Sequence, residues 1–367
     1  MKNPFHPSFG KTPELFLGRA DIKRSILESI GNTNSPWATT LIVGVRGSGK
    51  TSLLADLQSM LPQMDVAIVS VTPEGEFLDN ILSQVYRQLP KSKLKFVPSL
   101  KSIKTPVGLE LGLDAKDGSP SFTDNFRYQL TEMLEILRAK SKHTVFLFDE
   151  AQKHTSYMRT FVSTYQHLLM EKFSVSLVMA GLPSVISDLL NDDVLTFIRR
   201  AKRVVLENVD ISLVSLNYKR VFKNNISPKH NVDELIEKAA NYTYGYPYLF
   251  QLLGYYLWEN GKAEINDEVL AQSLVEAKVE LFNNVHQLVY SDLSNKDREF
   301  ITAMSEDDNS SKVHDIMTRL DKDKGYISRY RERLITSGVV KPVGHGLLAF
   351  AYPYMKEFLQ KKKQLGY

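Results

Sequence analysis

The chain has 367 residues, a net charge of +4 at pH 7 and no cysteine. Its length is typical of two or three domains, and 43% hydrophobic with 24% charged residues are ordinary values for a globular protein with a sizeable core. The lack of cysteine excludes disulfides and cysteine-ligated zinc. No apolar run approaches the ~18 residues of a membrane span, and Met1 to Gly10 lacks the apolar stretch of a signal peptide. We therefore expect a cytoplasmic protein without membrane contact.

Up to residue 211, helical patterns alternate with short β-branched strands. In chain order we predict helices at 22–30, 51–61, 78–85, 126–139 and 161–170, with strands at 39–45, 66–71, 144–148 and 174–179. This alternation predicts an α/β fold, a parallel sheet with helices on both faces. Residues 91–120 are rich in Lys, Ser, Gly and Pro and are predicted to be an insertion with a small hairpin around Leu109 to Leu113.

From residue 212 onward the strands stop, and the pattern changes once more at residue 284. Residues 212–283 predict a helical region with helices at 232–240, 247–258 and 266–282. Residues 284–367 predict helices at 297–304, 312–320 and 326–337, then a hairpin that returns at Leu347. Three helices and a short hairpin are typical of a winged helix-turn-helix. Lys361 to Lys363 is expected to be a fraying basic tail.

A glycine-rich loop after the first predicted strand matches the nucleotide-loop motif GxxxxGK[ST]. Its glycines allow the backbone to wrap a phosphate, and the helix that follows adds its positive N-terminal end. Lys50 would reach the β- and γ-phosphates of ATP, and the Thr51 hydroxyl would bind Mg²⁺. A chance glycine-rich turn is the alternative, which the flanking strand and helix disfavour. The predicted nucleotide ligands are Gly44, Val45, Arg46, Gly47, Ser48, Gly49, Lys50, Thr51 and Ser52.

An acidic pair, Asp149-Glu150, ends the predicted strand 144–148. The carboxyl end of a central parallel strand is where such sheets bind ligands. Asp149 would hold Mg²⁺ through water, and Glu150 would orient the attacking water as a general base. The alternative is an acidic helix start that the helix dipole favours.

Together these motifs resemble the AAA+ and STAND type of P-loop ATPase, nearest to the replication-initiator and archaeal-ATPase branches. The resemblance covers nearly the whole chain and implies a P-loop sheet, a helical lid at 212–283 and a winged helix at 284–367. The segments that carry it are Phe16-Leu17-Gly18-Arg19, residues 44–51, Phe148-Asp149-Glu150-Ala151-Gln152, Ala180-Gly181-Leu182-Pro183 and Gly245-Tyr246-Pro247.

The resemblance also implies roles for single residues around the base and the γ-phosphate. Gly18 and Arg19 would line the adenine site, although Arg19 also fits an exposed helix start. Ala180-Gly181 stands where the family places a polar first sensor. Gly245-Tyr246-Pro247 replaces an arginine-bearing second sensor, as in STAND proteins, where the proline touches the nucleotide. A plain helix start is the other interpretation of Pro247.

Arg199 and Arg200 lie where the family has an arginine that acts on a neighbouring subunit's γ-phosphate, which implies a homo-oligomer. Lys202 and Arg203 follow closely, so a basic surface patch is the alternative.

Basic residues on the third predicted C-terminal helix suggest double-stranded DNA as a partner. They would meet phosphates and base edges in a major groove. The alternative is a winged helix that packs on the ATPase or binds another protein. The predicted DNA contacts are Lys324, Ser328, Arg329, Arg331 and Arg333 on the helix and Lys341 on the hairpin.

Two function classes follow from these patterns. The first is an ATPase that couples its nucleotide state to DNA binding or oligomer assembly. The second is a STAND-type signalling switch with slow turnover whose winged helix binds protein. A small-molecule phosphotransferase is disfavoured, because a helical lid and a winged helix stand in place of a substrate lid.

Overall fold

The structure is a computed structural model that describes residues 2–8, 15, 17–90, 122–151, 156–193, 195–223, 231–261 and 264–365. The predicted insertion at 91–120, with its hairpin, lies outside these residues. Two compact units share the chain and are described separately. The sheet unit comprises Arg19–Val43 and Leu53–Val205, and the loop–lid unit comprises Met1–Gly18, Gly44–Ser52 and Leu206–Tyr367. The predicted three-domain division, with boundaries at 211 and 283, stays a prediction.

The sheet unit alternates strands and helices, as the sequence predicted. Its first elements are α1 (Ala20–Ser29), β1 (Thr39–Val43), α2 (Lys50–Met60, which begins in the loop), β2 (Ala67–Val71) and α3 (Phe77–Gln88). The later ones are α4 (Phe122–Arg138), β3 (Thr144–Phe148), α5 (Ser156–Met170), β4 (Val175–Gly181), α6 (Pro183–Leu190) and β5 (Lys202–Val205).

The five strands form one parallel sheet in the order β2-β3-β4-β1-β5. Val43 at the end of β1 pairs with Gly181 at the end of β4, and Phe148 at the end of β3 pairs with Met179. The carboxyl ends of β1, β3 and β4 therefore share one edge of the sheet. Every residue of β3 and β4 is buried, as expected for strands covered on both faces.

The fifth strand, β5, was not predicted. Lys202 and Arg203, interpreted above as a basic patch, begin this edge strand, and only Val204 is buried. A four-residue strand with two basic side chains lacks the apolar run that marks its neighbours, and charged residues are common on sheet edges.

Helices dominate the loop–lid unit up to residue 291. They are α7 (Ile211–Phe222), α8 (Val232–Tyr242), α9 (Pro247–Asn260), α10 (Asp267–Leu281), a π-helical turn (Phe282–His286) and α11 (Gln287–Ser291). Within the described ranges, no helix of the chain is both long and apolar enough to cross a bilayer.

The C-terminal region has the order helix, strand, helix, helix, hairpin. Its elements are α12 (Asn295–Met304), β6 (Ser311–Lys312), α13 (Val313–Leu320), α14 (Lys324–Thr336), β7 (Val340–Gly344) and β8 (Leu347–Phe350), and the strands form an antiparallel sheet β6-β8-β7. A capping box between Ser294 and Asp297 starts α12. The three helices and the hairpin lie where the sequence predicted them.

A final helix, α15 (Met355–Gln364), contains Lys361 to Lys363. The prediction of a fraying tail is therefore wrong. Met355, Phe358 and Leu359 are buried at helical spacing, so packing of this apolar face outweighs the charge of the lysine run.

The first residues of the chain are anchored in the lid helices, which the sequence analysis did not predict. Phe5 is 1% exposed, stacks on Phe222 with ring centroids 5.5 Å apart, and meets Phe250 edge-on. The missing side chain at Gly254 makes room for the Phe5 ring. The His6 N–H also donates to Gln251 Oε1 at 2.9 Å.

Candidate functional site

The glycine loop follows β1 directly, and α2 begins at Lys50. Gly47 and Gly49 have φ angles of 71° and 91°. These are left-handed conformations that glycine adopts without the strain that other residues incur. The loop is therefore wrapped in the manner that the motif predicted.

Four successive carbonyl groups of the loop accept hydrogen bonds. Lys50 Nζ donates to the carbonyls of Gly44 and Val45, at 2.9 and 3.0 Å. The Tyr246 hydroxyl donates to the carbonyl of Arg46, and the Tyr248 N–H donates to that of Gly47 at 3.2 Å. These carbonyl oxygens carry partial negative charges that would repel a phosphate, and each of them points at a donor of the protein instead.

A buried hydroxyl lies inside the loop. Ser48 is 3% exposed, and its Oγ has no hydrogen-bond partner among the described residues. A buried hydroxyl without a partner costs free energy that a bound acceptor would restore. Phosphate oxygens are such acceptors, so the residues of the loop fit a phosphate group.

Lys50 is also buried, at 9% exposure, whereas Thr51 is exposed and Ser52 is half-buried. Among the described residues no three His, Asp or Glu side chains form a metal cluster. Mg²⁺ in nucleotide sites needs none, since one or two protein oxygens, phosphates and waters complete its shell. The hydroxyl of Thr51 and one carboxylate suit that chemistry.

Asp149 and Glu150 follow β3 in the sheet unit. The Asp149 N–H donates to the Val71 carbonyl at 3.4 Å, and Asp149 Oδ1 accepts from the Glu150 N–H at 3.0 Å. Glu150 is exposed and has a φ of 53°, a left-handed conformation that costs a residue with a Cβ about 1 kcal/mol. Such strained positions cluster at functional sites.

The end of β4 provides no polar side chain at the position of the first sensor. A Cβ on Gly181 would lie 3.0 Å from Ile186 Cδ1 and 3.4 Å from Ala151 Cβ. These surroundings are apolar, as the Ala180-Gly181 sequence predicted.

Gly18 and Gly245 both lie close to Val209 in the loop–lid unit. A Cβ on Gly18 would lie 3.5 Å from Val209 Cγ1, and the Val209 N–H donates to the Gly245 carbonyl at 2.8 Å. Pro247 is the first residue of α9. Arg19, in the sheet unit, precedes α1 with a φ of 72°.

The side chain of Arg46 points to an acidic residue of the same unit. Arg46 Nη2 lies 3.1 Å from Asp292 Oδ2, just after α11, and the Arg46 N–H lies 3.4 Å from the Tyr352 hydroxyl. Asp292 and Tyr352 were not predicted as part of the site, and Tyr246 was noted only as the middle residue of the Gly-Tyr-Pro segment. They are 200 or more positions away in sequence, so no local pattern connects them with the loop.

Arg199 and Arg200 are exposed in a 3₁₀ turn before β5. Arg199 Nε donates to the Leu190 carbonyl at the end of α6, at 2.7 Å. The role of an arginine finger stays a prediction for both residues.

The predicted DNA-binding residues have different surroundings. Lys324, Ser328, Arg329 and Lys341 are exposed, whereas Arg331 is partly buried. Arg333 pairs with buried Asp297 and lies 5.4 Å from the Tyr330 ring centroid. The pair with Asp297 gives Arg333 a structural role at the start of α12.

Comparison with known proteins places these features in a class. Residues 38–190 match the family model described as AAA domain, and residues 283–359 match a domain of unknown function, DUF8462. The search of curated proteins gave no match.

The whole fold is similar to archaeal structures. The ORC2 protein of Aeropyrum pernix in ADPNP–ADP complexes gives a TM-score of 0.61 at 12% identity, over 98% of both chains. The ADP form of that protein gives 0.50 at 12% identity, over 97% of both chains. Cdc6p of Pyrobaculum aerophilum gives 0.48 at 15% identity, over 98% of both chains.

Residues 38–190, which contain the glycine loop and strands β1 to β4, match the AAA domain family. The whole chain has a fold similar to that of the ORC2 protein of Aeropyrum pernix. The predicted fold class and family resemblance are thereby confirmed.

Proposed function

We propose that this chain is an ATP-dependent AAA+ switch that hydrolyses ATP and couples its nucleotide state to DNA binding through the C-terminal region. The observation that carries the proposal is the loop at 44–52, whose carbonyls are directed onto protein donors while a buried hydroxyl, Ser48, stays available to a phosphate.

The proposal gives a distinct role to each of four residues, two in the loop and two after β3. When ATP binds, Lys50 exchanges the carbonyls of Gly44 and Val45 for the β- and γ-phosphates. Thr51 and Asp149 would hold Mg²⁺, which would neutralise negative charge on the phosphates. Glu150 accepts the proton of the water that attacks the γ-phosphate. Support for placing Asp149 here comes from the sheet, because β1 and β3 end at the same edge.

Two variants test the ATPase. Lys50→Ala should abolish ATP binding, because the charge that meets the phosphates is lost. Glu150→Gln should bind ATP as the wild type does but lose hydrolysis by about 100-fold. Nucleotide binding and phosphate release are measured for both, with the exposed Lys140→Ala and Glu135→Gln as matched controls. A wild-type protein that binds no ATP would disprove the function.

The C-terminal region supports DNA as the partner. Its helix–hairpin order is that of a winged helix, in which the third helix enters a major groove. Four of the predicted DNA-binding residues are exposed and therefore accessible to phosphates, namely Lys324, Ser328 and Arg329 on α14 and Lys341 on β7. Arg333 is left out of the proposed contacts because it pairs with Asp297.

A salt titration of double-stranded DNA binding tests this interface. The double variant Lys324→Ala/Arg329→Ala should weaken binding at least tenfold and lower the slope of log K against log salt by about 2. The control Lys219→Ala/Lys238→Ala removes the same charge from α7 and α8 and should bind as the wild type does. Equal affinities of the two double variants would contradict the interface.

A second candidate function is the STAND-type signalling switch. The apolar end of β4 at Ala180-Gly181 favours it, because a γ-phosphate sensor there would be polar. This candidate predicts tightly retained ADP and no DNA binding at low salt with ATP present. Purified protein is analysed for bound nucleotide to distinguish the two.

An arginine finger across subunits is a further part of the proposed function, with Arg200 preferred, since Arg199 holds the Leu190 carbonyl. Arg200→Ala and Glu150→Gln should each lose ATPase activity. Mixing them should restore part of it, because the first variant keeps an intact loop and the second an intact arginine. A mixture as inactive as its components would contradict action between subunits.

A further inference from the structure

Tyr246, in the Gly-Tyr-Pro segment before α9, is fully buried, and its hydroxyl donates to the Arg46 carbonyl of the phosphate loop. Its ring meets that of Tyr352 edge-on, with centroids 6.3 Å apart and planes at 72°. The Tyr352 hydroxyl in turn lies 3.4 Å from the Arg46 N–H. Two tyrosine hydroxyls thus flank one residue of the loop.

Because the peptide bond is planar, this contact also sets the orientation of the N–H group that follows. No peptide bond between described residues is cis, so the Gly47 N–H points away from the carbonyl of Arg46. A donor that fixes the Arg46 carbonyl therefore fixes the direction of the Gly47 N–H. In a phosphate loop, inward-pointing N–H groups are what bind the anion.

Residues at the start of α9 pack closely against the peptide bond between Arg46 and Gly47. A Cβ on Gly47 would overlap the Tyr246 hydroxyl and lie 2.8 Å from its Cζ and 2.9 Å from Tyr248 Cβ. The Tyr248 N–H also holds the next carbonyl, that of Gly47. The start of α9 is therefore in close contact with the loop on its carbonyl side.

Both hydroxyls stay protonated over the whole physiological range, Tyr246 as a donor to the Arg46 carbonyl and Tyr352 as an acceptor from the Arg46 N–H. Burial raises the pKa of Tyr246 well above its usual value and raises the pKa of Tyr352 to about 12. Neither group ionises near neutral pH, so these contacts are constant between pH 5 and pH 9.

We propose that Tyr246 and Tyr352 are positioning residues for polyphosphate binding, with Tyr246 the stronger, because their hydroxyls hold the Arg46 residue so that the Gly47 N–H faces the phosphates. This inference deepens the proposed function and rests on it.

The test compares Tyr246→Phe with Tyr218→Phe. Both variants remove one buried hydroxyl that donates to a backbone carbonyl, but the Tyr218 hydroxyl donates to Phe250 in the lid core, at 2.8 Å. Affinities for ATP, ADP and AMP are measured by displacement of a fluorescent ATP analogue. AMP lacks the β- and γ-phosphates that the loop binds, so it reports general damage to the site.

Tyr246→Phe should weaken ATP and ADP binding about tenfold and leave AMP binding unchanged. Tyr218→Phe should leave all three affinities unchanged, although its stability falls by a similar amount. Unchanged ATP binding in Tyr246→Phe, or an equal loss for ATP and AMP, would overturn the inference while the proposed function stands. A wild-type protein that binds no ATP would instead overturn the proposed function, and this inference with it.

Tyr352→Phe keeps the test decisive if Tyr246→Phe does not fold. Its longer contact predicts a loss of about threefold for ATP relative to AMP. An unchanged ratio of ATP to AMP affinity in that variant would then overturn the inference.

Discussion

A side chain does not fit at Gly245. A Cβ there would overlap the carbonyl oxygen of Val209, and φ is +68°. Val209 and Gly245 also share a hydrogen bond of 2.8 Å, so the backbone cannot move apart without losing it. Close packing therefore requires a glycine at the first position of the Gly-Tyr-Pro segment. Because Tyr246 is the next residue, this packing also fixes the backbone from which its side chain extends.

Gly245→Ala should destabilise the protein severely, by about 3 kcal/mol or more, because left-handed strain and a backbone clash add together. Gly31→Ala is the matched control, since Gly31 has a φ of +86° but nothing within 4 Å of its Cβ position. It should cost only the strain, about 1 kcal/mol. Urea unfolding measures both, and equal losses would show that packing at residue 245 is unimportant.

A buried histidine provides a pH-dependent contribution to stability. His286 lies in the π-helical turn against Phe282 and Phe358, and burial lowers its pKa to about 3. The unfolded chain takes up this proton near its usual pKa of about 6.5. The contribution of His286 to the free energy of unfolding is therefore fully present above pH 6.5, and it is lost as the pH falls from 6.5 towards 3.

His286→Leu should reduce the loss of unfolding free energy between pH 7 and pH 5 by about 2 kcal/mol, since each pH unit in this window costs about 1.4 kcal/mol. Denaturant unfolding at the two pH values measures this difference. His143, whose burial lowers its pKa to about 4, contributes equally to both proteins and does not obscure the comparison. An unchanged pH dependence would mean that His286 is protonated to the same extent in both states.

At the scale of elements, the ring of Phe5 helps to hold residues 2–8 against α7 and α9. Phe5→Ala should cost about 3–5 kcal/mol, because the ring fills the space over Gly254 between α7 and α9. Lys2→Ala, at an exposed position of the same segment, should have no effect. Thermal unfolding of both variants measures the difference, and a Phe5→Ala protein as stable as Lys2→Ala would show that the segment is dispensable.

The elements also show which parts of the structure a sequence reveals. β3 was predicted with its observed bounds, because a β-branched residue followed by four apolar residues in a row is typical of a strand buried on both faces. β5 was missed because only Val204 is buried in it. The Phe5 segment was missed because its partners are about 215 to 250 positions away. The loop motif was found from local spacing, whereas the tyrosines that hold it required the fold.

At the scale of the whole molecule, the compact units do not follow contiguous stretches of sequence. The loop at Gly44–Ser52 and the segment Met1–Gly18 group with residues beyond 205. The helices beyond residue 205 therefore make contacts with chain segments far ahead of them in sequence. A division into consecutive domains omits these contacts.

A fragment of residues 212–367 should consequently be less stable than the same residues in the intact chain. It lacks Phe5, and the Tyr246 hydroxyl and Tyr248 N–H lose their loop carbonyls. Circular dichroism and urea unfolding of the fragment measure this. A cooperative transition at the midpoint of the intact protein would contradict the expectation.

The Gly44 and Val45 carbonyls accept hydrogen bonds from Lys50, so they compete with any incoming anion for the ammonium group. A ligand must displace these two hydrogen bonds before it can bind the Lys50 ammonium group. A single-charge ion such as chloride offers too little in exchange, whereas a di- or triphosphate offers several oxygens at once. We therefore expect the loop to bind di- and triphosphates in preference to small single-charge anions, because Lys50 already has two hydrogen-bond acceptors.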